Sequence, residues 1–99
     1  MAVRLVYRDE ALEDIADAMR WYAARSEGLG ERFLKAVLER EALISKYPKG
    51  APVVHKHFRQ TPINSFPFLM VYGLVKNELI IYRIFHTKQH PRKKFKRRT

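Results

Sequence analysis

Positions 66–85 read FPFLMVYGLVKNELIIYRIF, two apolar runs that are separated by the polar pair Lys76–Asn77. Both runs are rich in β-branched and aromatic residues, which favour strands. This separation is about the length of a tight hairpin loop, so the sequence predicts neighbouring antiparallel strands at 66–75 and 79–85. Residues 53–59 have the same composition and predict a further strand.

The N-terminal half has the periodicity of one strand followed by two helices. Residues 3–7 alternate in the period-two pattern of a half-buried strand. Asp9 is predicted to cap a helix whose apolar positions recur every three or four residues as far as Arg25. After a connector at 26–30, a second amphipathic helix is predicted to end at Pro48. The helical hairpin has one apolar face and so does the sheet, and the two faces can be buried against each other. This predicts a two-layer α+β domain in which the other face of the sheet is open.

The net charge of the chain lies in its C-terminal half. The 99 residues include 20 Lys and Arg against 10 Asp and Glu, a formal charge of +10. Residues 1–50 hold nine of each sign, whereas residues 51–99 hold eleven basic residues and one acidic residue, Glu78. Seven of those eleven lie between Lys88 and Arg98. We therefore expect a domain at 1–87, a basic tail at 88–99, and a polyanionic or strongly acidic partner.

The composition excludes several classes of protein. The chain is too short for a large cofactor-binding domain, and without cysteine it has neither disulfides nor thiolate metal sites. Its four histidines lack the spacing of metal ligands, and no glycine-rich phosphate loop is present. No apolar run approaches the length of a membrane span. We expect a cytoplasmic protein that uses no metal or cofactor.

The basic and imidazole side chains of the predicted strands suit contact with phosphates. Metal-free RNA cleavage is the one enzymatic reaction that they could support, because it needs a base, an acid and cations that stabilise the developing charge on the phosphate. His86 or His57 could serve as base or acid, with Arg59 and Arg83 as the stabilising cations. Solvated side chains on an exposed sheet face would explain the same residues equally well.

The order and spacing of several short segments resemble the toxins of the RelE/ParE superfamily, small basic proteins of bacterial type II toxin-antitoxin modules. The segments that carry the resemblance are Ala11–Ile15, Ser26–Leu34, Pro48, Phe66–Phe68, Val71–Tyr72, Ile84–His86 and Pro91. The resemblance covers nearly the whole chain, and it implies the strand, helical hairpin and antiparallel sheet that the periodicity also predicts. It further implies an acidic antitoxin that neutralises the toxin in a hetero-oligomer.

The superfamily divides by mechanism, and three positions bear on the choice. Members similar to RelE cleave mRNA on the ribosome, and members similar to ParE poison DNA gyrase without being nucleases. The nucleases carry arginine at the positions of Leu69 and Gln89 and a catalytic tyrosine at the position of Phe95. Without those guanidinium and hydroxyl groups the transition state loses its charge-assisted contacts. Together with the long helical hairpin, this places the chain closer to ParE and favours a protein that is not an enzyme.

The first hypothesis is therefore a growth-arresting toxin that acts on gyrase. Its predicted target-binding residues are basic or imidazole groups of the sheet and tail: Arg59, Arg83, His86, Lys88, Arg92, Lys93, Lys94 and Lys96. The alternative is a ribosome-dependent mRNA endonuclease that uses Arg59, Arg83 and His86. A third possibility is a basic nucleic-acid-binding module without toxicity.

Overall fold

The computed structural model describes residues 3–88, in which two helices pack on one face of a five-stranded sheet. In chain order the elements are β1 (Arg4–Tyr7), α1 (Asp9–Ala23), α2 (Leu29–Lys46), β2 (Val53–His55), β3 (Phe58–Pro62), β4 (Phe68–Val75) and β5 (Glu78–His86). The predicted α+β architecture, with an N-terminal strand, a helical hairpin and a mainly antiparallel sheet, is confirmed. Asp9 is the first residue of α1 rather than its cap, a role that Arg8 takes without a side-chain hydrogen bond.

The strands are ordered β1-β5-β4-β3-β2 across the sheet. The predicted β4–β5 hairpin is confirmed, and Lys76 in its turn has a positive φ of 56°. β1 lies beside β5 as the one parallel neighbour, with Arg4 opposite Glu78 and Tyr7 opposite Ile81. The helical hairpin provides the crossover that parallel neighbours require, so α1 and α2 cover the sheet.

The prediction of one continuous strand at residues 53–59 is wrong, because the chain reverses direction within this segment. β2 ends at His55, and β3 begins at Phe58 and returns antiparallel, with Val53 opposite Arg59. Lys56 in the turn adopts a left-handed φ of 52°. No glycine, proline or asparagine marks the turn, which is why the composition of this segment indicated one continuous strand.

The two helices approach each other closely at Gly30. A Cβ atom at this position would lie 2.9 Å from the backbone oxygen of Met19 in α1, so a larger residue would push the helices apart. The preceding Gly28 has a φ of 78°, in the left-handed region that glycine favours. The segment Gly28-Leu29-Gly30 therefore sets the angle at which the chain enters α2.

The core lies between the helices and the sheet face that packs on them, which we call the core face; the opposite side is the outer face. The buried core residues include Ala11, Ile15, Phe33, Val37, Met70, Tyr72, Leu79, Ile81 and Ile84. Rings of Tyr22, Phe33, Phe66 and Phe68 pack mostly edge to face at centroid distances between 5.0 and 6.3 Å. Phe33 is therefore part of the core, and the other three rings pack against it.

Candidate functional site

Five of the eight residues that were predicted to bind a target belong to the basic tail, and the structure describes one of the five. Arg92, Lys93, Lys94 and Lys96 lie outside the described residues, as do Gln89 and Phe95. Lys88 is the last described residue and is exposed. The structure therefore bears on Arg59, Arg83 and His86, which the sequence placed on an open sheet face.

Arg83 is held in an ion pair with Asp14 of α1. Its Nε donates to Asp14 Oδ2 at 2.7 Å and a terminal nitrogen donates to Oδ1 at 3.0 Å, while the backbone N–H of Ile84 also donates to Oδ2 at 3.0 Å. The side chains of Arg83 and Asp14 are only 12% and 9% exposed. The hydrogen bond to Asp14 raises the pKa of Arg83 above its usual value. The expectation of a solvated arginine on the open face is wrong, because this guanidinium joins β5 to α1.

Arg59 is also engaged by the fold. It lies opposite Tyr72 in the β3–β4 pair, and directly opposed residues share a sheet face, so Arg59 is on the core face. Its guanidinium donates to the backbone oxygens of Ala51 at 2.6 Å and Lys49 at 3.3 Å. The Tyr72 hydroxyl donates to Pro48 oxygen at 2.9 Å in the same loop. These bonds attach the α2–β2 loop to the sheet, so Arg59 too is not the open-face cation that the sequence indicated.

His86 lies at the end of β5, at the mouth of a groove between α1 and the β4–β5 hairpin. Its ring packs edge to face on Phe68 at 5.0 Å, and its Nδ1 accepts a hydrogen bond from the Lys88 N–H at 3.1 Å. The groove encloses about 540 Å³, and its aromatic walls include Trp21, whose ring is half exposed. Arg25 stacks on that ring, with the guanidinium carbon 3.4 Å from the centroid. The groove thus combines an apolar wall with polar and charged groups at its rim.

Of the three groups that were predicted for a nuclease, Arg83 and His86 line the same groove, whereas Arg59 does not join them. Arg59 and Arg83 lie on strands that flank β4, so their backbones are about 10 Å apart. Their guanidinium groups bond in different directions, to the α2–β2 loop and to α1 respectively. Leu69, at the position where the nucleases carry an arginine, lies opposite Phe85 on the outer face and presents no charge.

A second cluster lies on the outer face and contains His57, which the sequence indicated as a possible base or acid but did not group with the other members. We call His57, Phe58 and Tyr82 the outer-face cluster. The His57 and Phe58 rings stack at a centroid distance of 4.4 Å, Phe58 meets Tyr82 edge to face at 4.8 Å, and His57 Nε2 lies 3.1 Å from the Tyr82 hydroxyl. The signal was hidden because His57 reaches this cluster only through the unpredicted turn after β2.

The described residues contain no group of three or more potential ligand side chains that could hold a metal ion. Within residues 3–88, neither helix is long and apolar enough to cross a membrane.

Comparison with known proteins identifies relatives of both the sequence and the fold. Residues 5–91 match the family described as "ParE toxin of type II toxin-antitoxin system, parDE". No curated protein sequence matches significantly. A solved structure described as "Chromosomal ParDE TA system from P. aeruginosa" superposes with a TM-score of 0.76 at 17% sequence identity, covering 88% of this chain and 98% of that one. At this identity the structural match shows the shared fold.

Proposed function

This chain belongs to the ParE toxin family of type II toxin-antitoxin systems, and we propose that it arrests bacterial growth by acting on DNA gyrase without cleaving nucleic acid itself. The match to the ParE family over residues 5–91 carries this proposal. The resemblance of the sequence to the gyrase-directed side of the superfamily supports it as well.

The arrangement of the arginines supports a mechanism without catalysis. A ribonuclease site needs guanidinium groups aimed at the phosphate that reacts. Here the guanidinium groups of Arg59 and Arg83 are bonded within the fold, and Leu69 provides none. We therefore assign Arg59 and Arg83 to holding the fold, and His86, Lys88 and the tail residues Arg92, Lys93, Lys94 and Lys96 to contact with the target.

A cognate acidic antitoxin is the proposed neutralising partner. The groove beside α1 presents the exposed Trp21 and the Phe68 ring, and Lys88 stands at the start of the basic tail. An acidic segment that folds on binding could place apolar side chains in the groove and carboxylates against the tail. Because exposed charges would carry much of this contact, we expect the affinity to fall as salt is added.

The gyrase proposal is tested with purified full-length protein, bacterial gyrase, ATP and supercoiled plasmid. We expect linear DNA with protein covalently attached to accumulate after detergent treatment. A variant with Arg92, Lys93, Lys94 and Lys96 changed to glutamine should need at least about tenfold more protein for the same cleavage, since removing a single hydrogen bond to a charged group typically costs about 1 kcal/mol or more.

A matched control removes four positive charges from a different surface. Arg32, Lys35, Lys46 and Lys49 are exposed on α2 and just after it, and their change to glutamine should leave cleavage near the wild-type level. Equal losses in both variants would show that only net charge matters. Gyrase activity that is unaffected by excess protein, with growth still arrested in cells, would reject the proposal and favour the mRNA endonuclease. In that case His86→Ala should abolish toxicity, whereas harmless overexpression would favour a non-toxic binding module.

A further inference from the structure

The outer-face cluster places aromatic rings where the fold does not need them for its core. Tyr72 and Leu74, on either side of Gly73, belong to the core or pack against it, so Gly73 faces the outer side of β4. His57 lies directly over this glycine, since a Cβ there would be 2.8 Å from the imidazole Cδ2. The missing side chain leaves room for the imidazole over β4, while His57 as a residue stays exposed. The rings of Phe58 and Tyr82 beside it are half-buried and support it.

Two basic residues adjoin the outer-face cluster. The guanidinium carbon of Arg8 lies 6.0 Å from the Tyr82 ring centroid, and the exposed Lys56 directly precedes His57 in the turn. Nine of the ten carboxylates lie between positions 9 and 41, in the segment that holds both helices. The tenth, Glu78, is within 3.8 Å of Arg4. The end of the outer face at the β2–β3 turn therefore combines exposed ring surface with basic residues.

We propose that this end of the outer face binds single-stranded nucleic acid, with His57 stacking on a base and Arg8 and Lys56 contacting the neighbouring phosphates. Aromatic platforms flanked by cations bind unpaired strands in this way, because every base has a ring face and every linkage a negative charge. An acidic peptide could also pair with the cations. Its carboxylates would gain little affinity from the His57 ring, which stacks on Phe58 at 4.4 Å, because they have no ring face to stack on it. The site lies on the outer face, and it is independent of the action proposed on gyrase.

The experiment must separate this site from the basic tail, whose positive charge would attract any polyanion. The full-length protein is titrated with a fluorescent oligothymidylate and with an abasic strand that has the same number of phosphates. The tail responds to both strands alike, whereas a stacking platform responds only to bases. We expect the wild type to bind oligothymidylate several-fold more tightly than the abasic strand.

The variant His57→Ala should weaken oligothymidylate binding about five- to tenfold and leave abasic binding unchanged. Tyr47→Ala removes an exposed ring just after α2 and should change neither affinity. Lys56→Asn keeps a residue that tolerates the left-handed turn, and it should reduce the slope of log affinity against log salt by about 0.7.

Two results would overturn the proposal. The first is equal binding of both strands by the wild type, with no effect of His57→Ala, which would assign all binding to the tail. The second is that a polyglutamate peptide binds as tightly as oligothymidylate. In that case Lys56→Asn would weaken the binding of both ligands equally, and His57→Ala would change neither affinity. That pattern would make the face a docking site for acidic peptides.

Discussion

Replacing Asp14 with alanine is expected to destabilise the protein by about 3–5 kcal/mol, the usual cost of removing one partner from a buried ion pair. The Asp14 carboxylate accepts hydrogen bonds from two nitrogens of the Arg83 guanidinium and from the Ile84 N–H. Its loss leaves the Arg83 guanidinium charged in a site where that side chain is only 12% exposed. For a domain of this size, a loss of 3 kcal/mol lowers the melting temperature by roughly 12–24 °C.

Unfolding in urea is monitored by the circular dichroism signal of the helices. The slope of the unfolding free energy against urea concentration should not change. Asp17→Ala is the matched control, because Asp17 pairs with Arg20 on the same helix but both side chains are more than 60% exposed. We expect this control to lose less than about 0.5 kcal/mol. A loss in Asp14→Ala no larger than in Asp17→Ala would refute the structural role of the pair.

A double variant, Asp14→Leu with Arg83→Met, separates folding from target contact. Replacing a buried ion pair with apolar residues of similar volume is often close to neutral, so stability should return to within about 2 kcal/mol of the wild type. If Arg83 only positions α1 on β5, this double variant should keep its activity on gyrase. A stable but inactive double variant would return Arg83 to the target-contacting surface.

Three further predictions concern packing and pH. Gly30→Ala should cost about 1–3 kcal/mol in chemical denaturation, since its new methyl would lie 2.9 Å from Met19 oxygen; unchanged stability would contradict the close helix contact. Tyr72→Phe removes the hydroxyl that donates to Pro48 oxygen and should cost about 1 kcal/mol, with faster proteolysis of the α2–β2 loop. Burial and a hydrogen bond to a carboxylate on α2 raise the pKa of Tyr7 far above its usual value of 10.0. The stability that the protonated Tyr7 hydroxyl contributes is therefore complete below pH 10 and is lost as the pH rises further. Tyr7→Phe should therefore reduce the loss of stability in alkali, and an unchanged pH profile would argue against this origin.

The local parts of the fold were predictable because their signals are local. Two residues between apolar runs define the β4–β5 hairpin, and the three- and four-residue spacing of apolar side chains defines α1 and α2. The turn at Lys56 was missed because a lysine in the left-handed region gives no compositional signal. The missed turn reverses the chain after His55, so that His55 and His57 both stack on Phe58 and His57 lies against Tyr82.

The partners of the strand arginines were not predictable for a different reason. Asp14 and Arg83 are 69 positions apart, and Arg59 bonds to backbone oxygens that every residue carries. Neither contact has a sequence pattern, since both depend on how α1 and the α2–β2 loop pack on the sheet. A basic residue on a predicted strand therefore indicates a binding surface only when the opposing layer offers it no acceptor.

The distribution of basic residues leads to a distinction that mutagenesis can use. Of the eleven in the C-terminal half, Arg59 and Arg83 lie on strands and are bonded within the fold, and Lys56 and Lys76 lie in turns. The other seven belong to the basic tail, of which the structure describes only Lys88. Changes at the strand arginines should lower activity through loss of folded protein, so activity per folded molecule stays near normal. Changes in the tail should leave the folded amount unchanged and lower activity per molecule, with a shallower salt dependence. Measuring folded protein and activity together thus tells which basic residues contact the target.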